Sequence, residues 1–188
     1  MPKVMLPLAA QPLWLPTENL AAGPWEPVCA PVRLASAAAS VSFASIPAQY
    51  VMFRLRCEII NDGTADTVTM RLNNDSGAVY PWQYLRASST TVDAFRNAAQ
   101  TVIPITLGAA VDANTFMTCD IIIAKPIAGA NGIILLSGTR LGNAGDLYYN
   151  NLAALWNNTA DLINRIDVIK TSGNFAAGSI FILEGSKS

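Results

Sequence analysis

Three groups of side chains in this 188-residue chain have the types or the spacing that chemistry requires. The first is Asn73-Asn74-Asp75, whose oxygens could face a calcium ion. Calcium loops draw on several carboxylates and this one offers a single Asp, so the run Asn73 to Gly77 reads better as a turn. The second is the small-residue stretch from Ser172 to Ser179, which could cradle phosphate. No Gly-Lys-Ser/Thr follows Gly178, and the apolar run Ile180-Phe181-Ile182-Leu183 stands where a phosphate loop needs a helix. The stretch therefore reads as a turn that admits positive φ, followed by a strand expected to be buried on both faces. The third is Tyr80, Trp82 and Tyr84, which alternate along one strand and so share a face. Such a row serves sugar or base stacking in some proteins, but a place in the core or at a subunit contact is the favoured reading.

The chain has no histidine. That excludes Ser-His and Cys-His nucleophilic pairs, the usual imidazole base and most zinc sites. Two carboxylates distant in sequence could still hydrolyse a glycan, yet no motif points to them. The expectation is a protein that is not an enzyme, with no catalytic residue, no metal and no cofactor. Cys29, Cys57 and Cys119 are odd in number and lack paired spacing; they read as free thiols, two of them inside apolar strands.

Charged residues make up only 13% of the chain, against roughly 25% in ordinary soluble domains, and the hydrophobic fraction is 52%. A surface so short of charge suits a subunit of an assembly. The net charge is −1 without any basic block, so nucleic acid is not an expected partner. Runs such as Ile121–Ala124 and Ile133–Leu136 are far too short for a membrane helix. The opening MPKVMLPLAAQPLWLP has a faint signal-peptide look, but Pro2, Pro7, Pro12 and Pro16 break its helix, and export is not expected.

The elements that must position these residues divide the chain at about residue 35. Seven of the 11 prolines precede it, which leaves residues 1–35 as an extended arm. The arm is apolar, with Leu13, Trp14, Leu15 and Trp25 as its expected anchors on a partner, so it does not read as a solvated linker. Residues 36–188 read as one domain of short strands. The clearest is Gln49–Ile60, where Val51, Phe53, Leu55, Cys57 and Ile59 alternate with mostly polar neighbours. Asp62-Gly63 predicts a hairpin to a strand over Val68–Leu72. Val92, Phe95 and Ala99 have helical spacing, which leaves Ser88–Gln100 open between a loop and a helical turn. Further strand-like runs follow at Thr101–Leu107, Thr115–Ala124, Gly132–Leu141, Leu152–Trp156, Ile163–Ile169 and Ser179–Leu183. Eight to ten short strands with turn chemistry between them predict an all-β, antiparallel, jelly-roll-like sandwich.

Several stretches together resemble a family of tailed-bacteriophage structural proteins with jelly-roll-like domains. They are Phe43–Ile59 with its Ile46-Pro47-Ala48-Gln49-Tyr50 lead-in, Met70–Leu85 with the turn from Arg71 to Tyr80, Ala113–Ile123, and Leu155–Gly185. The last departs from the family's usual Leu-Tyr-Gly ending with Leu183-Glu184-Gly185. The resemblance covers about residues 41–185 and leaves out the arm. It implies a virion component assembled in the host cytoplasm, most simply a capsid decoration (cement) protein acting as a homotrimer on the major capsid protein. A head-fibre, tail-fibre or baseplate module that binds a host receptor or glycan is the alternative. No catalytic residue transfers from the family.

Overall fold

The computed structural model describes residues 25–62, 67–88, 90–106, 115–125, 127–141 and 147–187. Leu13, Trp14 and Leu15 lie outside them. The described chain is all-β with antiparallel pairing throughout, and no helix occurs among the described residues.

Two sheets share one apolar core. The larger has nine strands, in the order β1 (Glu26–Pro27), β13 (Ile180–Lys187), β4 (Tyr50–Ile60), β9 (Phe116–Ala124), β10 (Gly132–Leu141), β11 (Leu147–Trp156), β6 (Trp82–Ser88) and β7 (Thr91–Asn97), with β2 (Val32–Arg33) also on β13. The smaller runs β3 (Ser40–Phe43), β12 (Ile166–Lys170), β5 (Val68–Leu72), β8 (Ile103–Pro104). Alternation along β4 sends Phe53, Leu55, Cys57 and Ile59 inward, where they join Met70, Leu72, Ile166 and Val168 of the smaller sheet in one cluster.

Four expectations need correction. The turn after β4 makes no hairpin, because β4 and β5 belong to different sheets. Thr91–Asn97 is a strand paired with β6 rather than a helical turn or loop. Ile180–Leu183 is not buried on both faces: Phe181 and Leu183 point into the core, while Ile180 and Ile182 are half-exposed. Residue 35 is no structural divide, since β1 and β2 lie within the expected arm and both hydrogen-bond to β13. Pro27 is tolerated there because β1 is an edge, where a missing N–H costs no ladder bond.

The glycine turn before β13 is held by a buried lysine. Lys170 Nζ donates to Asn61 Oδ1 at 2.6 Å, Asp62 Oδ1 at 2.8 Å and the Asn174 carbonyl at 3.0 Å. Gly173 and Gly178 take φ of 66° and 92°, a region open to glycine. Gly185 has a different reason. A Cβ there would meet the Tyr50 ring within 2.9 Å, so only glycine lets β13 run this close to Tyr50. Glu184 beside Gly185 lies on the solvent side, where it accepts from Arg56 Nη2 at 3.2 Å.

Candidate docking surface

Each sequence-marked group has a structural position. Tyr80 and Tyr84 are buried and Trp82 is half-buried against the core, so the row faces inward and offers no open platform. The Tyr80 hydroxyl donates to the carbonyls of Leu72 (3.1 Å) or Asp75 (3.2 Å) and accepts the Leu72 N–H. Burial pushes its pKa up to about 12. In the Asn73–Gly77 turn the side-chain oxygens of Asn73 and Asp75 are committed to the fold. Asn73 Oδ1 accepts the N–H groups of Asn164 and Arg165, and Asp75 accepts the Gly77 N–H and, at 3.0 Å, the Trp156 indole N–H. Asn73 and Asn74 adopt positive φ to make this turn. Among the described residues no three His, Cys, Asp or Glu side chains stand together as a metal group. Cys57 and Cys119 are cross-strand partners in the core, both free, and Cys29 is exposed. The hydrogen bond that the Cys57 thiol makes to Cys119, together with burial, raises the Cys57 pKa well above the ordinary thiol range.

The feature that sequence reasoning missed is the outer face of the large sheet. On β10, Ile134 and Leu136 point into the core, while Ile133 and Leu135 point away from it and are 52% and 54% exposed. Register carries the same face across the neighbouring strands. Ile122 of β9 sits opposite Leu135, Leu135 opposite Ala153 of β11, and Ala153 opposite Gln83 of β6. Beside that row, Ala124, Ile133 and Leu155 align. Leu85 of β6 and Ala94 of β7 continue the face, and Val92 is 74% exposed. A groove of about 650 Å³ runs between β9 and β7 over Leu85, Ala94, Ile122, Leu135 and Ala153, with a second of about 310 Å³ at Pro81, Ile133 and Leu155.

The rim is polar. Asp120 lies at one side, bound by Arg54 Nε at 3.0 Å to each carboxylate oxygen. That hydrogen-bonded carboxylate holds the Arg54 pKa above its ordinary value. Ser137 and Asn151 donate to the Tyr149 hydroxyl at 3.3 and 2.9 Å, which lowers the Tyr149 pKa. These groups bind and orient; none is arranged as a nucleophile with a base. The floor is a row of hydrocarbon side chains on rigid strands, which suits burial against another apolar surface.

The signal for this face was present in the sequence. Both parities of Ile133–Leu136 are apolar, a pattern ordinarily taken to mean cover on both sides. No protein-family model matches the chain, and no curated protein or solved structure matches it either.

Proposed function

We propose that this chain is a structural, non-enzymatic subunit of a tailed-bacteriophage virion, a head decoration protein that docks through the open outer face of its large sheet. The observation that carries this reading is that face. It is a contiguous apolar groove on a rigid sheet, in a chain whose charged fraction is only 13%. The fold is jelly-roll-like in this reading, because the chain crosses repeatedly between its two sheets, as from β3 to β4, β4 to β5 and β12 to β13. The working form is a symmetric homotrimer seated on the major capsid protein, with Leu13, Trp14, Leu15 and Trp25 of the N-terminal arm as further attachment residues. Nucleic acid and membrane are not partners, and no cofactor is used.

The alternative is a head-fibre, tail-fibre or baseplate module that binds a host receptor or glycan. The exposed Tyr149 with Ser137 and Asn151 at the groove rim is the observation in its favour, since an aromatic beside hydroxyl and amide groups suits a sugar. Co-sedimentation of the purified chain with virion heads stripped of accessory proteins, and separately with tails, tests the two. Saturable binding to heads is the expected result. Binding to tails or to host polysaccharide alone would overturn the decoration reading in favour of the alternative.

A further inference from the structure

We propose that, before docking, the outer apolar face of each subunit is covered by residues 1–24 of the same chain. This rests on the reading of that face as a docking surface and adds what occupies it in the free protein. None of the described elements lies over the groove, although its floor is hydrocarbon. Residues 1–24 contain Met5, Leu6, Leu8, Leu13, Trp14, Leu15 and Leu20, and their only charged side chains are Lys3 and Glu18. An apolar segment and an apolar groove in one chain each leave water by meeting.

The point where the described chain begins makes the meeting direct. Glu26 pairs with Gly185 and Pro27 with Glu184, so the chain before β1 heads for the Ser186 end of β13. That end of the sheet carries the row Ser186, Met52, Ala124, Ile133, Leu155 across β13, β4, β9, β10 and β11. A segment following this row passes the strand ends and avoids the ion pairs of Arg54 with Asp120 and Arg56 with Glu184 deeper on the face. Gly23-Pro24 supplies the turn onto it. Strands about 4.8 Å apart place β10 and β11 about 19 to 24 Å from β1. The 11 residues from Trp25 back to Trp14 span about 34 Å as polyproline-like chain, enough to make the turn and set Leu13-Trp14-Leu15 over Ile133 and Leu135. Prolines 2, 7, 12, 16 and 24 reduce the ordering entropy of such a strap. The tether gives the chain's own arm an effective concentration in the millimolar range, which favours it over a neighbour's arm in dilute solution. On the virion the apolar face of a partner displaces it, and the freed arm becomes available for attachment.

The test uses the full chain with Trp14→p-benzoylphenylalanine, irradiated without virions in an equal mixture of heavy-isotope and light chains. Adducts are expected on β9, β10 and β11 around Ile122, Ile133, Leu135 and Leu155, each of a single isotope mass. Adducts on another surface, adducts mainly of mixed mass, or no adduct would each overturn the proposal. In the same chain, Leu135→Asp should lower the yield on the face about tenfold or more, since it sets a carboxylate in place of a leucine in the apolar contact. An undiminished yield from a variant with an unchanged circular dichroism spectrum would also overturn it. The adducts of the chain with an unaltered face decide the question if that variant fails to fold. Misplaced adducts together with intact head binding would sink the cover and leave the docking surface standing.

Discussion

The outer face of one sheet carries two different surfaces, divided along β9. On β13 and β4 the solvent side holds Glu184, Arg54, Arg56 and Glu58, with Asp120 of β9 completing the set. Arg54 pairs with Asp120 and Arg56 with Glu184 across the strands. On β10, β11, β6 and β7 the corresponding positions hold Ile133, Leu135, Ala153, Leu155, Leu85, Ala94 and Val92. Both surfaces rest on the same ladders, so backbone demands do not separate them. The difference is in what each does with water. Ions paired across strands stay solvated and lose hydration when covered, whereas an apolar row gains about 25 cal/mol for each Å² it removes from water. One half of the face carries paired ions, and the other leaves an apolar row in contact with water.

The largest stability effect should separate the two sides of β10. Ile134→Ala opens the core and is expected to cost about 2–5 kcal/mol. Leu135→Ala, one residue along on the outer face, should cost no more than about 1 kcal/mol in the free subunit, because it thins the contact with the strap and opens no core cavity. Chemical denaturation of the pair checks this, and equal losses would mean that the outer face is already covered by something more tightly packed than a strap. Gly185→Ala comes next, because the new methyl is forced onto the Tyr50 ring, which also neighbours Phe53 and the Lys187 ammonium. Overpacking of this kind costs roughly 1–3 kcal/mol and should lower the melting temperature without altering the apolar half.

Tyr80→Phe should cost roughly 1–3 kcal/mol, since it strips a buried N–H and buried carbonyls of their partner. It also carries a pH signature. The folded phenol ionises at about 12 while the unfolded one does so near 10, so the folded state holds the extra proton between those values. Stability should therefore fall as pH rises from about 10 to 12, and the fall should be shallower in Tyr80→Phe. Alkaline melts of the two proteins make the comparison. The smallest effect belongs to the charged half. Arg54→Ala should cost no more than about 1 kcal/mol, because the pair it breaks is partly exposed and screened by salt.

Much of the frame was legible in the sequence, and each failure has a physical origin. Strand β4 was plain because Phe53, Leu55, Cys57 and Ile59 alternate with polar neighbours, the mark of a strand with one wet face. Strand β7 was not, because Val92 and Phe95 are exposed on opposite faces and no apolar alternation is imposed on it. The crossing from β4 to β5 was missed because a turn and a change of sheet use the same local residues around Asp62. The prolines argued against β1 and β2, yet an edge position makes Pro27 harmless. Tyr80 and Tyr84, which the sequence left between the core and a contact face, are buried. The open apolar face itself was hidden by a true observation: Ile133 to Leu136 are apolar on both sides, and periodicity does not tell which side the chain itself covers.

The most direct test of the central claim sets the two halves of the outer face against each other on the particle. Head occupancy is titrated for Leu85→Asp with Leu135→Asp, and for Arg54→Asp with Arg56→Asp, after circular dichroism has confirmed that each variant is folded. Placing carboxylates in the apolar groove should weaken attachment about a hundredfold or more, because each buries a charge without a partner. The reversal on the charged half should leave attachment within about threefold. Equal occupancy for both variants, or a greater loss from the charged half, would contradict the account.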